Sequence, residues 1–141
     1  MSTDARLRAI ETRLAAVTLV AAIVFAPLET IATVQMFGAA HGIFHPGFFG
    51  STVGVILLAA GAVRSLLARP RRAPALMCAS HAWWTGVGWH SVGLRYQYWS
   101  EGRELFYGPI DLWGVALAAL LATAIFAASA YLVVKLEGAG G

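Results

Sequence analysis

Residues 112–134 read LWGVALAALLATAIFAASAYLVV, without a single charge between Asp111 and Lys135. A helix of about 20 apolar residues covers the ~30 Å of a bilayer's hydrocarbon, so this stretch is long enough for one crossing. The rest of the chain divides in the same way. Residues 14–28, 30–63 and 73–94 also lack Asp, Glu, Lys and Arg. The stretch 30–63 is too long for one crossing and contains His41-Gly-Ile-Phe-His45-Pro46-Gly47, a turn signal. Four helices are therefore predicted, over 12–39, 48–68, 74–96 and 109–135.

Apolar and polar residues do not alternate with period two, and the runs are rich in Ala and Leu, which excludes a β-barrel. In lipid every backbone polar group needs an internal partner, and helices provide it. The expected fold class is all-α: an integral-membrane bundle of four transmembrane helices, forming one domain over residues 1–141. The composition agrees. Of the 141 residues 59% are hydrophobic and 12% charged, against roughly 25% charged in soluble domains. A chain this small has a large surface to cover with polar groups. A soluble globule, a disordered tail and a nucleic-acid-binding module are thereby excluded. The net charge of +3 is explained by placement. Arg6, Arg8 and Arg13 precede the first helix, Arg64, Arg69, Arg71 and Arg72 follow the second, and Lys135 follows the fourth. Only Arg95 and Arg103 fall on the other side. The positive-inside rule puts both termini in the cytoplasm of a multi-pass cell-membrane protein. The basic amino terminus followed by an apolar run also resembles an export signal, but the run is longer than such signals need.

Small residues at spacing four, Gly50 with Gly54, Ala82 with Gly86, and Gly114 with Ala118 and Ala122, let helix backbones approach closely. They fit packing within the chain, a homo-oligomer or a larger membrane complex.

Glu29 is the one acid near the middle of a predicted crossing. An ionised carboxylate there costs several kcal/mol, so it is expected to be protonated, paired or open to a water-filled cavity. Pro27, two positions earlier, removes an N–H and displaces the Ile23 carbonyl, which predicts a kink beside the acid. Helical spacing puts Phe25, Thr33 and Met36 on the face of Glu29. On the third helix Trp83 and Trp84 fall at mid-depth rather than in the interfacial belt where tryptophans collect. Thr85, the Trp84 indole and His81 are candidate partners of the acid. Towards the outer end Arg95 and Tyr96 form a polar mouth suited to the head group of an amphiphile.

This combination predicts acid–base chemistry on a lipophilic small molecule, an isoprenoid or steroid-like substrate undergoing isomerisation or cyclisation. Glu29 would be the proton donor and His81 or His90 the acceptor. Thr33, Met36, Trp83, Trp84, Thr85, Arg95 and Tyr96 would line the substrate site. The histidines also admit a haem b between His41 or His45 and His90. His81 and His90 cannot share one ligand, because nine positions turn a helix by roughly 900° and place them on opposite faces. No CxxC pair and no HExxH occurs, and Cys78 with His81, three positions apart beside Met77, is a soft-metal corner of only two ligands that does not complete a site. Two further readings use the same residues: a non-catalytic, haem- or quinone-associated subunit, and a proton-coupled oligomeric transporter exchanging protons at Glu29.

Overall fold

The computed structural model describes residues 3–37, 46–67, 74–105 and 108–138. They form four helices and no strand: α1 (Thr3–Phe37), α2 (Pro46–Leu67), α3 (Ala75–Ser100) and α4 (Pro109–Gly138). The chain is all-helical, and two of its apolar segments, Thr3–Leu28 and Pro109–Leu136, are long and apolar enough to cross a membrane.

Proline sets three of the helix starts. Pro46 and Pro109 are the first residues of α2 and α4, and Pro74 immediately precedes α3. The first helical position has no intrahelical use for an N–H, and the ring fixes φ near the helical value. Glycine sets the end of α3. Gly102 takes φ +69°, its N–H bonds to Trp99 O, and the Arg103 N–H bonds to Tyr98 O. This paired closure satisfies carbonyls of the last turn and requires a left-handed residue. Inside the helices the hydroxyls of Thr18, Thr30 and Thr123 return to the carbonyls four positions back.

Two bounds differ from the sequence expectation. α1 starts at Thr3, well before residue 12, because its charged first turns are themselves good helix formers. They are braced by an Arg8–Glu11 ion pair of 2.7 Å. α3 runs on to Ser100, where the Gly102 closure stops it. α1 continues through Pro27 without interruption. At 35 residues it is roughly 52 Å long.

Each helix packs mainly on its neighbour in sequence: α1 on α2, α2 on α3, and α3 on α4, while α1 and α4 meet only slightly. Two close approaches set this order. At Gly61 a Cβ would fall 2.8 Å from the Met77 Cα, so α2 lies backbone-to-backbone on α3. At Gly88 a Cβ would fall 3.2 Å from the Ala119 Cβ, which brings α3 onto α4. Small polar side chains share the interior with Leu, Ala and Met, and large apolar ones face outward. Thr18, Ser80 and Ser129 are fully buried, whereas Ile110 and Trp113 are 79% and 71% exposed. Exposed apolar side chains run along all four helices.

Candidate functional site

The inward face of α1 carries Leu7, Glu11, Ala15, Thr18 and Ala22 at steps of three and four, all buried, and Phe25 continues the line. That spacing keeps one stripe of a 3.6-residue helix turned to the interior. The inward face of α3 carries Met77, Ser80 and His81, likewise buried, then Trp84 and Gly88. Between them α2 contributes Gly54, Leu58, Gly61 and Ala62.

Two polar levels result. At the first, Thr18 Oγ1 donates to Leu14 O at 2.8 Å and lies 2.8 Å from His81 Nε2. A hydroxyl has one proton, already given to the carbonyl, so the imidazole Nε2–H is the donor. Beside it Ser80 Oγ reaches Leu57 O at 2.7 Å and Leu76 O at 2.6 Å, bonding α3 to α2. His81 thus braces three helices together with its neighbour. An asymmetry follows. Thr18→Val removes the acceptor of a buried N–H and is expected to cost about 1–3 kcal/mol. His81→Leu leaves the threonine hydroxyl bonded to Leu14 and is expected to cost less. Detergent-micelle unfolding followed by circular dichroism ranks the two; the reverse order would mean the imidazole is not the donor.

The second level is formed by Phe25 and Trp84, whose rings stack at 5.3 Å with 24° between planes. Gly54 makes room for the indole: a Cβ there would stand 3.0 Å from Trp84 Nε1. The Trp84 Nε1 and Thr85 Oγ1 atoms are buried and have no hydrogen-bond partner among the described residues. Native proteins pair nearly all such groups, and leaving one unpaired costs about 1–3 kcal/mol. Here two occur on consecutive residues.

Glu29 stands one turn beyond Phe25 on α1. The side chains of Glu29, Thr33 and Met36, and the whole of His41 and His45, lie outside the described residues. His81 meets α1 at Thr18, eleven positions and about 16 Å of helix before Glu29. His90 is exposed, turned away from the His81 face. Trp83 is 44% exposed and gives its indole N–H to Gly50 O at 3.2 Å. Tyr96 is exposed and packs at 6.1 Å on Trp99. Of the expected substrate-lining residues, the structure therefore brings Trp84 onto Phe25 and leaves Trp83 and Tyr96 facing outward, as it does His90, the expected proton acceptor. Among the described residues no group of three or more His, Cys, Asp or Glu is placed to hold a metal ion.

No protein-family model, curated protein or solved structure matches the chain.

Arg95 is engaged: its Nε donates to Asp111 Oδ1 at 2.9 Å and its Nη1 reaches Ser91 O at 3.4 Å. Asp111 lies in the first turn of α4, where a carboxylate also complements the helix dipole. The pair ties the end of α3 to the start of α4, with side chains 26% and 10% exposed. Asp111→Asn is expected to lower stability by about 1–2 kcal/mol, less than for a fully buried pair because solvent screens the arginine. The Arg95→Met, Asp111→Asn double variant should recover part of that loss in the same unfolding measurement.

Sequence reasoning missed four buried polar residues, Glu11, Thr18, Ser80 and Ser129. Thr18 and Ser80 were legible only as helical positions. Glu11, 3% exposed, falls one residue outside the first helix expected from hydropathy. Its place four residues after Leu7 and four before Ala15 was the signal that it lies on the packing stripe.

Proposed function

We propose that the chain is a small integral-membrane protein of four spans, both termini cytoplasmic, that performs acid–base chemistry on a lipophilic isoprenoid- or steroid-like molecule held between the helices. The outward-facing apolar side chains of all four helices support the membrane setting, and the distribution of Lys and Arg supports the orientation. One observation carries the functional reading. The buried Trp84 indole N–H, without a hydrogen-bond partner among the described residues, belongs to the Phe25–Trp84 stack, and Phe25 stands one helical turn before Glu29 on α1. Aromatic faces with a few convergent polar groups next to an ionisable residue are the makings of a small-molecule site.

In this reading Glu29 moves the proton, Phe25 and Trp84 flank the substrate, and Trp84 and Thr85 orient it. Thr33 and Met36 continue the same face of α1. His81 is a brace between helices, and Arg95 joins α3 to α4. The reaction is an isomerisation or cyclisation, because a single proton-transfer group supports rearrangement without a redox partner.

The test is the mass spectrum of lipids extracted from purified wild-type protein and from Glu29→Gln. Substrate and product are expected with the wild type, and the substrate alone with the variant. Identical extracts from both would remove Glu29 from the chemistry. A Soret band in the optical spectrum of the same sample would favour a haem-holding subunit instead.

A further inference from the structure

We infer that the outward face of α3 is where two copies of this chain meet, and that His90 pairs there with the partner's His90. The inference rests on the membrane setting proposed above and not on the proposed chemistry. Ala79, Gly86 and Gly93 recur every seven residues along this face, with Ala82 between them, and all four are exposed. A Cβ at Gly86 or Gly93 would meet nothing within 4 Å. Seven-residue spacing keeps one seam of a helix turned to a partner, and small residues let the two backbones approach. The tryptophans that border the strip are drawn aside. The Trp83 indole N–H goes to Gly50 O on α2, and that of Trp89 to Thr123 Oγ1 on α4.

His90 is the residue that asks for a partner. It lies on the strip four positions after Gly86 and three before Gly93, exposed and without a hydrogen bond among the described residues. The aromatic belt at the outer end of α3 begins at Tyr96 and runs to Trp99. His90 stands roughly 9 Å of helix inside that belt and so faces hydrocarbon, where an unpaired polar group is costly. Acyl chains supply neither donor nor acceptor. Nor do Leu117, Leu120 and Leu121, the exposed side chains of α4 near the depth set by the Gly88–Ala119 contact. The bias of Arg and Lys gives every copy the same orientation, so a two-fold axis relating two copies runs along the membrane normal. A residue beside such an axis faces its own equivalent at its own depth and has to complement itself. A neutral imidazole does: one ring nitrogen donates and the other accepts, so either copy can donate to the other.

The test is the sedimented mass of the full chain in detergent, together with disulfide formation between single cysteines introduced on a Cys78→Ala background. The wild type is expected to be a dimer. Gly86→Cys and Gly93→Cys should each cross-link two copies, and Leu120→Cys on α4 should not. His90→Leu should weaken the dimer about three- to thirtyfold, the worth of one hydrogen bond between membrane helices. His90→Gln, whose amide also both donates and accepts, should retain it. Gly93→Leu should weaken it by holding the backbones apart. These side chains face outward, so circular dichroism should show every variant folded. A monomeric wild type, a dimer indifferent to His90→Leu, or cross-linking at Leu120→Cys alone would overturn the inference. So would a Soret band that His90→Leu abolishes, since iron would then be the partner of the imidazole. The chemistry is judged separately. A monomer whose lipid extract changes in Glu29→Gln would refute the pairing alone, and a dimer with identical extracts would refute the catalytic reading alone.

Discussion

Glu29→Gln is expected to lower turnover of the retained lipophile by about 10²–10⁴-fold, the span over which a positioned acid or base acts. The amide keeps the shape of the acid but exchanges no proton at neutral pH, so substrate binding should change little and the loss should fall on kcat rather than KM. Glu29→Asp retains the proton and withdraws it by one methylene, and should land between the two. The position makes the effect specific. Four residues before it, Phe25 stacks on Trp84, so a molecule beside that stack is within one turn of the acid. Single-turnover assays on the lipid identified by extraction provide the measurement. Unchanged turnover in the glutamine variant would assign Glu29 a packing role.

The second large effect concerns stability and has a sign opposite to helix propensity. Alanine is a better helix former than glycine by about 1 kcal/mol, yet Gly61→Ala is expected to destabilise the bundle by about 1–3 kcal/mol. The new Cβ would sit 2.8 Å from the Met77 Cα and 2.9 Å from Ser80 Oγ. A main-chain atom cannot swing aside as a side chain does, so α2 and α3 must separate. Separation also lengthens the Ser80–Leu57 bond of 2.7 Å. Gly61→Leu should cost about 3 kcal/mol or more. Gly86, on the outward side of α3 with open space around it, supplies the control: Gly86→Ala should be neutral or stabilising. Unfolding of the three variants in micelles, followed by circular dichroism, gives the comparison. Equal behaviour of Gly61→Ala and Gly86→Ala would contradict the close approach of α2 to α3.

The all-helical class and the succession of four helices were legible because charge and proline punctuate the chain. α2 and α4 begin at Pro46 and Pro109, near the starts that the charge gaps indicate. The start of α1 was not legible from hydropathy. Arg6, Arg8, Glu11 and Arg13 look like a boundary when the question is which residues tolerate lipid, whereas helix formation depends on propensity and local pairing. The site divides along similar lines. That Trp84 and Thr85 lie midway along α3 follows from counting. That Trp84 meets Phe25, while His81 meets Thr18, does not, because the mutual rotation of helices is set by contacts such as Gly61 on Met77. Residue types alone linked His81 to Glu29. The observed bond to Thr18 links it instead to a level about 16 Å away.

The slight contact between α1 and α4 bears on how a water-insoluble molecule would be exchanged. A bundle closed by three strong seams and one weak one opens most readily along the weak one. There the separation breaks the fewest packed pairs; the polar ties Ser80–Leu57 and Arg95–Asp111 belong to other seams, and Thr18–His81 crosses the interior from α1 to α3. A lipophile dissolved in the surrounding hydrocarbon would then pass sideways between the first and last helices. It would never need to shed its apolar solvent for water.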